Sequence, residues 1–412
     1  MSGPGAELLG QEEIDEVLDV LRGGRLSRYG SVEDPRFKGK VRRVEEEIAR
    51  RSGVDHAVAV NSGTVALWIA LAGVGIGAGD EVIVPGFTFV ASISAIVYAG
   101  ATPVLAEIDE SLNLDPTDVA SKVTNRTRAI MAVHMLGNPA RLAELADIAK
   151  RHDLALIEDC AQAFGASYCG RPVGSVGVAA ALSFNNFKTI TCGDGGMVLT
   201  ADEELYRRFF ALHDQGHSPL RSGVEIGERP FLGLNFRMTE LSGAVLLAQL
   251  RKLDGILARL RDNKRLFKSL IADLPGLRFR ALPDPDGEIA THLTVIFPTA
   301  PIAARVTGEL HSRVLADSGW HIYSQMEHLL NKRTATMKGP PFAGADGARG
   351  PIYRRGMLPR TDDLLSRAMS IGIGVADPNL GSTFGVTVRD GADAVRERAQ
   401  QFRDSASRYL GG

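Results

Sequence analysis

The sequence predicts an α/β protein, with a large domain spanning 1–255 around a mostly parallel sheet and a smaller α+β domain spanning 256–412. Two patterns carry this expectation. Short apolar runs alternate with helical runs through the first half, which implies right-handed crossovers and a sheet covered on both faces. One long helical run, Glu240 to Ile271, then leaves the first domain and enters the second, with Leu246, Leu250, Leu253, Leu257 and Leu260 as its apolar stripe. At 412 residues the chain is too long for one simple core, and hydrophobic residues at 44% supply a large one.

In chain order, Ile14, Val17, Leu18 and Leu21 mark an amphipathic helix within 10–23, and Val44 and Ile48 another over Val41 to Ser52. Val58-Ala-Val60 is a short strand, broken by Asn61-Ser-Gly-Thr64 before the helical run Val65 to Ala72. Glu81 to Val84 is a strand stopped by Pro85-Gly86, and Phe87-Thr-Phe89 leads into a helix over Val90 to Ala99. Strands follow at Thr102 to Glu107, Ala129 to His134 and Ala155 to Glu158, with helices near Pro116 to Lys122 and Arg141 to His152 between them. Ala179 to Ser183 and Met197 to Thr200 are two further strands, and the loop between them carries Lys188 and the glycine-rich turn Gly193-Asp-Gly-Gly196. Past the long helix, Leu277 to Leu282, His292 to Phe297 and Met369 to Gly374 read as strands, and Ala303 to Leu315 and Asp393 to Tyr409 as helices.

Lys and Arg number 47 against 49 Asp and Glu, a net charge of −2 that argues against a general nucleic-acid or membrane-surface role. The opening residues lack a basic and apolar leader, and no apolar run approaches the roughly 18 residues that span a bilayer, so a cytoplasmic protein is expected. Cys160, Cys169 and Cys192 have no metal-ligand spacing and read as reduced thiols; no metal is expected.

In parallel sheets ligands collect at the carboxyl ends of strands, and Gly63, Phe89, Asp159 and Lys188 all fall just past such ends. A lysine held in apolar surroundings is driven toward its neutral amine, as a Schiff-base lysine requires; the plain alternative is a solvated loop lysine. Ser-Gly-Thr64 at a helix start is an anion site, commonly for phosphate, or simply an N-cap. Asp159 closes a buried strand and needs a cation such as the protonated pyridine nitrogen of pyridoxal phosphate, unless it caps a following helix. Gln162 can reach the ring's phenolic oxygen if a helix begins there, Phe89 can stack on the ring or belong to the core, and Ser183 can donate to the phosphate.

Together, Asn61-Ser-Gly-Thr-Val-Ala-Leu67, Gly79 to Pro85 with Phe87-Thr-Phe89, Glu158-Asp-Cys-Ala-Gln162, Ser183-Phe-Asn with Lys188 and Gly193-Asp-Gly-Gly196, and Leu234-Asn-Phe-Arg-Met-Thr239 resemble the DegT/DnrJ/EryC1/StrS sugar aminotransferases. The resemblance covers nearly the whole chain. It implies a fold-type I enzyme dependent on pyridoxal 5'-phosphate, with a seven-stranded-type sheet, acting as a homodimer with shared active sites in antibiotic or polysaccharide biosynthesis. It implies Lys188 as the covalent attachment point and proton shuttle, Asp159 on the pyridine nitrogen, Gln162 near the phenolic oxygen and Phe89 stacked on the ring. Gly63, Thr64 and Ser183 would bind the phosphate, with Asn235 supplied by the partner subunit. Glutamate or glutamine would donate the amino group to a keto or aldehyde carbon of a sugar or cyclitol. Gly233 to Asp254 and Leu282-Pro-Asp-Pro285 look most like the members that aminate eight-carbon octulosonate sugars. The rival readings are a pyridoxal-dependent sugar dehydratase, against which Lys188 counts because the resemblance implies His there, and a silent homologue serving as a binding subunit.

After about Trp320 the chain departs from that resemblance. Between Leu329 and Leu358 a Gly- and Pro-rich stretch carries Lys332, Arg333, Lys338, Arg349, Arg354 and Arg355 against the single acid Asp346. Arg354 and Arg355 are candidates for an anionic acceptor, reached if this loop covers the cleft, and Arg237 for the donor's carboxylate; a solvated surface loop is the plain alternative.

Overall fold

A computed structural model describes residues 2–218, 229–336, 339–342 and 351–411, so Lys338, Asp346 and Arg349 of the basic stretch lie outside the described residues. The chain opens with helices α1 (Pro4–Glu7), α2 (Gln11–Gly23) and α3 (Lys40–Ser52), then strand β1 (His56–Val60) and α4 (Gly63–Gly73). β2 (Glu81–Pro85), α5 (Val90–Tyr98), β3 (Thr102–Ala106), α6 (Pro116–Lys122), β4 (Thr127–Val133), α7 (Leu142–Arg151) and β5 (Ala155–Asp159) continue the alternation. A small hairpin, β6 (Ser167–Tyr168) with β7 (Arg171–Pro172), precedes β8 (Ala179–Ser183), β9 (Gly196–Thr200) and α8 (Glu203–His213). Then come α9 (Glu240–Ile271), β10 (Arg278–Phe279), β11 (His292–Ile296), α10 (Ala300–Glu309), α11 (Glu327–Leu330), α12 (Pro359–Ser366), β12 (Ala368–Gly372) and α13 (Ala392–Leu410).

The seven-stranded sheet has the order β1-β9-β8-β5-β4-β2-β3. β3, β2, β4, β5 and β8 pair in parallel, whereas β9 runs antiparallel to both β8 and β1. β1, β2, β5 and β8 therefore point the same way, and their carboxyl ends share one edge. Every residue of β2, β8 and β9 is buried, as strands covered on both faces require. One apolar cluster joins α3, α9 and α13 to the small antiparallel sheet β10-β11-β12, and another packs α4 and α5 on the opposite face of the large sheet.

The unbroken 32-residue α9 runs through position 255, where the two expected domains meet. Its amino half receives α2, through Gln249 and Lys252 on Glu13, and its carboxyl half receives α13, through Arg403 on the Leu270 carbonyl. α2 is turned differently from its apolar pattern. Ile14 and Leu21 are 52% and 50% exposed, while Glu13 is 4% exposed because Lys252, Gln249 and the Gly10 N–H group satisfy its carboxylate. The apolar stripe of this helix thus faces away from the chain's own core.

Two elements of the small domain shift from expectation. α10 starts at Ala300 because Thr299 caps it and Pro301 suits its first turn; it ends at Glu309, and His311 beyond has a left-handed φ of 51°. The strand expected over Leu277 to Leu282 shortens to β10, since the Ala281 N–H group turns away to the Glu110 carbonyl. α8, α12 and the small hairpin are additional. Among the described residues no helix is long and apolar enough to cross a membrane.

Candidate active site

A cavity of about 320 Å³ opens at the shared carboxyl edge, walled by the start of α4, the ends of β5 and β8, the β8–β9 loop and residues of the small domain. It brings together Gly63, Thr64, Phe89, Asp159, Gln162, Ser183 and Lys188. Asn235, Arg237, Arg354 and Arg355 are not on its walls.

Asp159 is the last residue of β5 and is 4% exposed. Its Oδ2 accepts a 2.7 Å hydrogen bond from Ser92 Oγ, and its Oδ1 accepts the Ala161 N–H at 3.0 Å. The Ser92 hydroxyl lies 2.7 Å from that of Thr88, so a buried hydroxyl pair stands behind the carboxylate. No helix follows; residues 161–165 form turns, which removes the helix-cap reading of Asp159. The condition set for Gln162, a helix beginning there, is likewise unmet. Its Oε1 instead accepts the Leu136 N–H at 2.8 Å, leaving the NH2 group as the donor available to a bound group.

Lys188 lies in the β8–β9 loop and is half-buried on the cavity wall. Burial drives its ammonium toward the neutral amine, against the pull of the Asp159 and Asp377 carboxylates. The loop is fixed by its own polar groups: Asn185 Oδ1 accepts the Phe187 N–H, and Thr191 Oγ donates to the Phe184 carbonyl. The Gly3 N–H donates to the Asn186 carbonyl, and a Cβ on Gly3 would stand 2.4 Å from the Phe187 carbonyl, so α1's approach depends on that glycine.

At the start of α4, Ser62 caps the helix by accepting the Val65 N–H, and the first N–H groups of a helix have no intrahelical partner. A Cβ on Gly63 would fall 2.6 Å from Ser183 Cβ, so only glycine lets the Ser183 hydroxyl sit beside those groups. The result is a neutral anion cradle built from backbone dipole and hydroxyl. Phe89 is 36% exposed at the cavity, with its ring 5.1 Å from that of His321, which separates it from ordinary core.

Several wall residues had no signal local to the motifs. Asp377, Asn379, Trp320, His321 and His292 come from the small domain. Burial, reinforced by Lys188, holds His321 neutral, pushed down to about 4, and burial holds His292 at about 3. Ser92 did have a signal: it is a hydroxyl within the apolar run Val90-Ala-Ser-Ile93.

Beside the site, donor atoms of His134, Glu158 and Cys160 lie within 4.8 Å of one another. The cluster is already satisfied internally. Glu158 accepts N–H groups from Gly174, Val176 and Gly177 as well as His134 Nε2, and His134 Nδ1 accepts the Ala140 N–H. Burial pushes the Glu158 carboxyl up, but His134 and those N–H groups outweigh it and hold it below its usual value. Its role is to pin the loop before β8 to the end of β5.

The remaining candidates have other partners. Arg237 is ion-paired with the buried Asp214, and exposed Asn235 accepts the Arg237 N–H. Arg355 donates to the Ser324 carbonyl and pairs with Glu327, while Arg354 is exposed. The described part of the basic stretch thus does not cover the cleft, because Arg355 finds a local acid on α11.

The model of the DegT/DnrJ/EryC1/StrS aminotransferase family matches residues 7–323. The chain is 44% identical over 254 residues to the GDP-perosamine synthase of Caulobacter vibrioides, covering 61% of this chain and 65% of that one. It spans just under two thirds of such relatives' length, 64% for the GDP-perosamine synthase of Escherichia coli O157:H7. It is 36% identical over 359 residues to the dTDP-3-amino-3,4,6-trideoxy-alpha-D-glucose transaminase of Streptomyces venezuelae, covering 87% of this chain and 86% of that one. The X-ray structure of the aminotransferase from Psychrobacter cryohalolentis covers 100% of both chains with a TM-score of 0.80 at 28% identity. By sequence and by its fold-type I architecture, the chain belongs to the DegT/DnrJ/EryC1/StrS aminotransferase family.

Proposed function

We propose that the protein is a pyridoxal 5'-phosphate-dependent aminotransferase that moves an amino group from glutamate or glutamine to a keto carbon of a nucleotide-linked sugar or a cyclitol. The observation that carries this is the meeting of a half-buried amine, Lys188, and a buried carboxylate, Asp159, in one cavity that also holds the start of α4. These groups fit the cofactor: an anion cradle at Gly63, Thr64 and Ser183, an acid for a ring nitrogen, an amine for the aldehyde and an exposed Phe89 for the ring face. When bound, the cofactor supplies an electron sink for the carbon whose proton is removed. Asp159, held by Ser92 and Ala161, keeps the proton on the ring nitrogen. Lys188 Nζ, whose charge burial disfavours, would take that carbon's proton and return it one atom away. Gln162, with its Oε1 committed to the Leu136 N–H, would offer its NH2 group to the phenolic oxygen.

For the acceptor, the support is in the relatives' names, which include GDP- and dTDP-linked aminosugar enzymes and the L-glutamine:2-deoxy-scyllo-inosose aminotransferase of Streptomyces kanamyceticus. The residues that resemble octulosonate enzymes, 233–254 and 282–285, are absent from their own chain's cavity walls. The test is to convert the cofactor to its amine form with glutamate or glutamine and then offer GDP- and dTDP-linked keto-sugars and an inosose. Return of the cofactor's visible absorbance with one acceptor, together with an aminated product, is the expected result. Loss of a hydroxyl without amination would identify a dehydratase, and no response to any donor a silent homologue.

The proposed partner is a second copy of the chain. Ile14, Leu18 and Leu21 on α2 and Leu26 and Val32 beyond it form an exposed apolar surface, and Asn235 stands outside its own chain's cavity. Mixing Lys188→Ala and Asn235→Ala chains should restore up to about a quarter of wild-type activity, the statistical share of intact sites in shared-site dimers. No rescue after proven subunit exchange would place Asn235's action within its own chain. A cytoplasmic location accords with free Cys160, Cys169 and Cys192.

A further inference from the structure

A second cavity, of about 280 Å³, lies between the carboxyl half of α9 and the small sheet, outside the site described above. Arg261, Lys264, Arg265 and Lys268 on α9 have the i, i+3, i+4, i+7 spacing of one helix face, and all four line it. Arg280 enters from just beyond β10. Like charges at that spacing repel, so the stripe costs stability unless something neutralises it. Only two acids share the walls. Glu288 is taken by Lys264, Asp286 lies on the exposed rim, Arg265 pairs outward with Asp262 and Arg261 Nε donates to the Glu288 carbonyl, which leaves Lys268 and Arg280 without a paired acid among the described residues. Lys268 rests over the Phe279 ring, 5.0 Å from its centre, and no acid is paired with it among the described residues.

A second, independent feature is the state of the buried polar atoms. Arg280 is 4% exposed; its Nε and Nη2 donate to the Ser111 and Met135 carbonyls, whereas its buried Nη1 has no hydrogen-bond partner. Thr294, on the same wall and fully buried, has an unpartnered Oγ1. Unsatisfied buried donors are costly and normally mark a missing partner. The apolar part of the wall, Phe279, Leu282 and Leu293, suits a carbon skeleton behind the charge.

We propose that this cavity is a binding site for a small organic oxyanion, a phosphate or carboxylate ester-sized metabolite, held by Arg280 and Lys268 with Arg261 at its rim. Burial lowers Lys264 to about 8, against the pull of its Glu288 partner, and Arg280 to about 10. The site is distinct from the cofactor cradle, which uses neutral groups.

Calorimetric titration of the full chain, saturated with pyridoxal phosphate, against inorganic phosphate and separately against succinate tests this. One saturable site per chain is expected, weakened tenfold or more in the Arg261→Ala, Lys268→Ala double variant, whose replaced side chains lie at the partly exposed rim. Ser183→Ala should bind as wild type, which separates this cavity from phosphate seated in the cofactor cradle. Preference for phosphate or for succinate decides which oxyanion is meant. Absence of saturable binding of either probe at millimolar concentration, unchanged affinity in the double variant, or loss confined to Ser183→Ala would overturn the assignment.

Discussion

Lys188→Ala is expected to lower kcat by about 10⁴-fold or more, because the change removes both the covalent anchor and the proton carrier. The amine is made useful by its partial burial, which disfavours its charge, and the nearby Asp159 and Asp377 only partly offset this. Since a partly buried ammonium costs folding free energy, its removal should leave the thermal midpoint of the cofactor-free protein unchanged or slightly higher. Lys188→Arg separates charge from chemistry. Guanidinium stays protonated, so this variant should retain cofactor noncovalently and remain as inactive as the alanine variant. Borohydride reduction and peptide mapping of the wild type should place the cofactor label on Lys188; a label on another lysine would defeat the assignment.

The strand ends were legible because each apolar run is short and closed by Gly, Pro or a lone polar residue. Gly63, Phe89, Asp159 and Lys188 could be placed at one edge before any tertiary contact was known, since parallel strands with helical crossovers must align their carboxyl ends. The small-domain wall was not legible: Trp320, His321, Asp377 and Asn379 meet Lys188 only because α9 carries the chain across and back. Charge counting was the weaker guide. The basic run from 329 to 358 drew attention to Arg354 and Arg355, yet arginine satisfies itself locally wherever an acid such as Glu327 is within reach. The regularly spaced cations of α9, of which Lys268 meets an aromatic ring and no acid among the described residues, passed unnoticed inside an amphipathic helix. α2 shows the same limit, because periodicity reports an apolar face without saying whether its cover is the chain itself or another copy.

Asp159→Asn is the second large effect expected. The carboxylate is buried and tied to Ser92 and Ala161, and an asparagine of the same shape can keep both contacts once the Ser92 hydroxyl turns to accept from the new NH2 group and donates to Thr88. Fold and much of the cofactor retention, which rests on Lys188 and the α4 cradle, should therefore survive. The charge that holds a proton on the ring nitrogen is lost. Breaking a buried ion pair costs about 3–5 kcal/mol, which corresponds to roughly 10²–10⁴-fold in the rate of donor deprotonation. Stopped-flow measurement of the glutamate or glutamine half-reaction should show that fall in rate, with the donor's KM changed far less because no donor group need touch Asp159. Ser92→Ala tests the positioning role separately: the charge remains but loses one of its holders, so a loss of about tenfold, within the range for one hydrogen bond to a charged group, is expected. Near-normal rates in Asp159→Asn would reduce the residue to a structural strand end. A Ser92→Ala loss equal to that of Asp159→Asn would mean that orientation of the carboxylate, and not its charge alone, sets the rate.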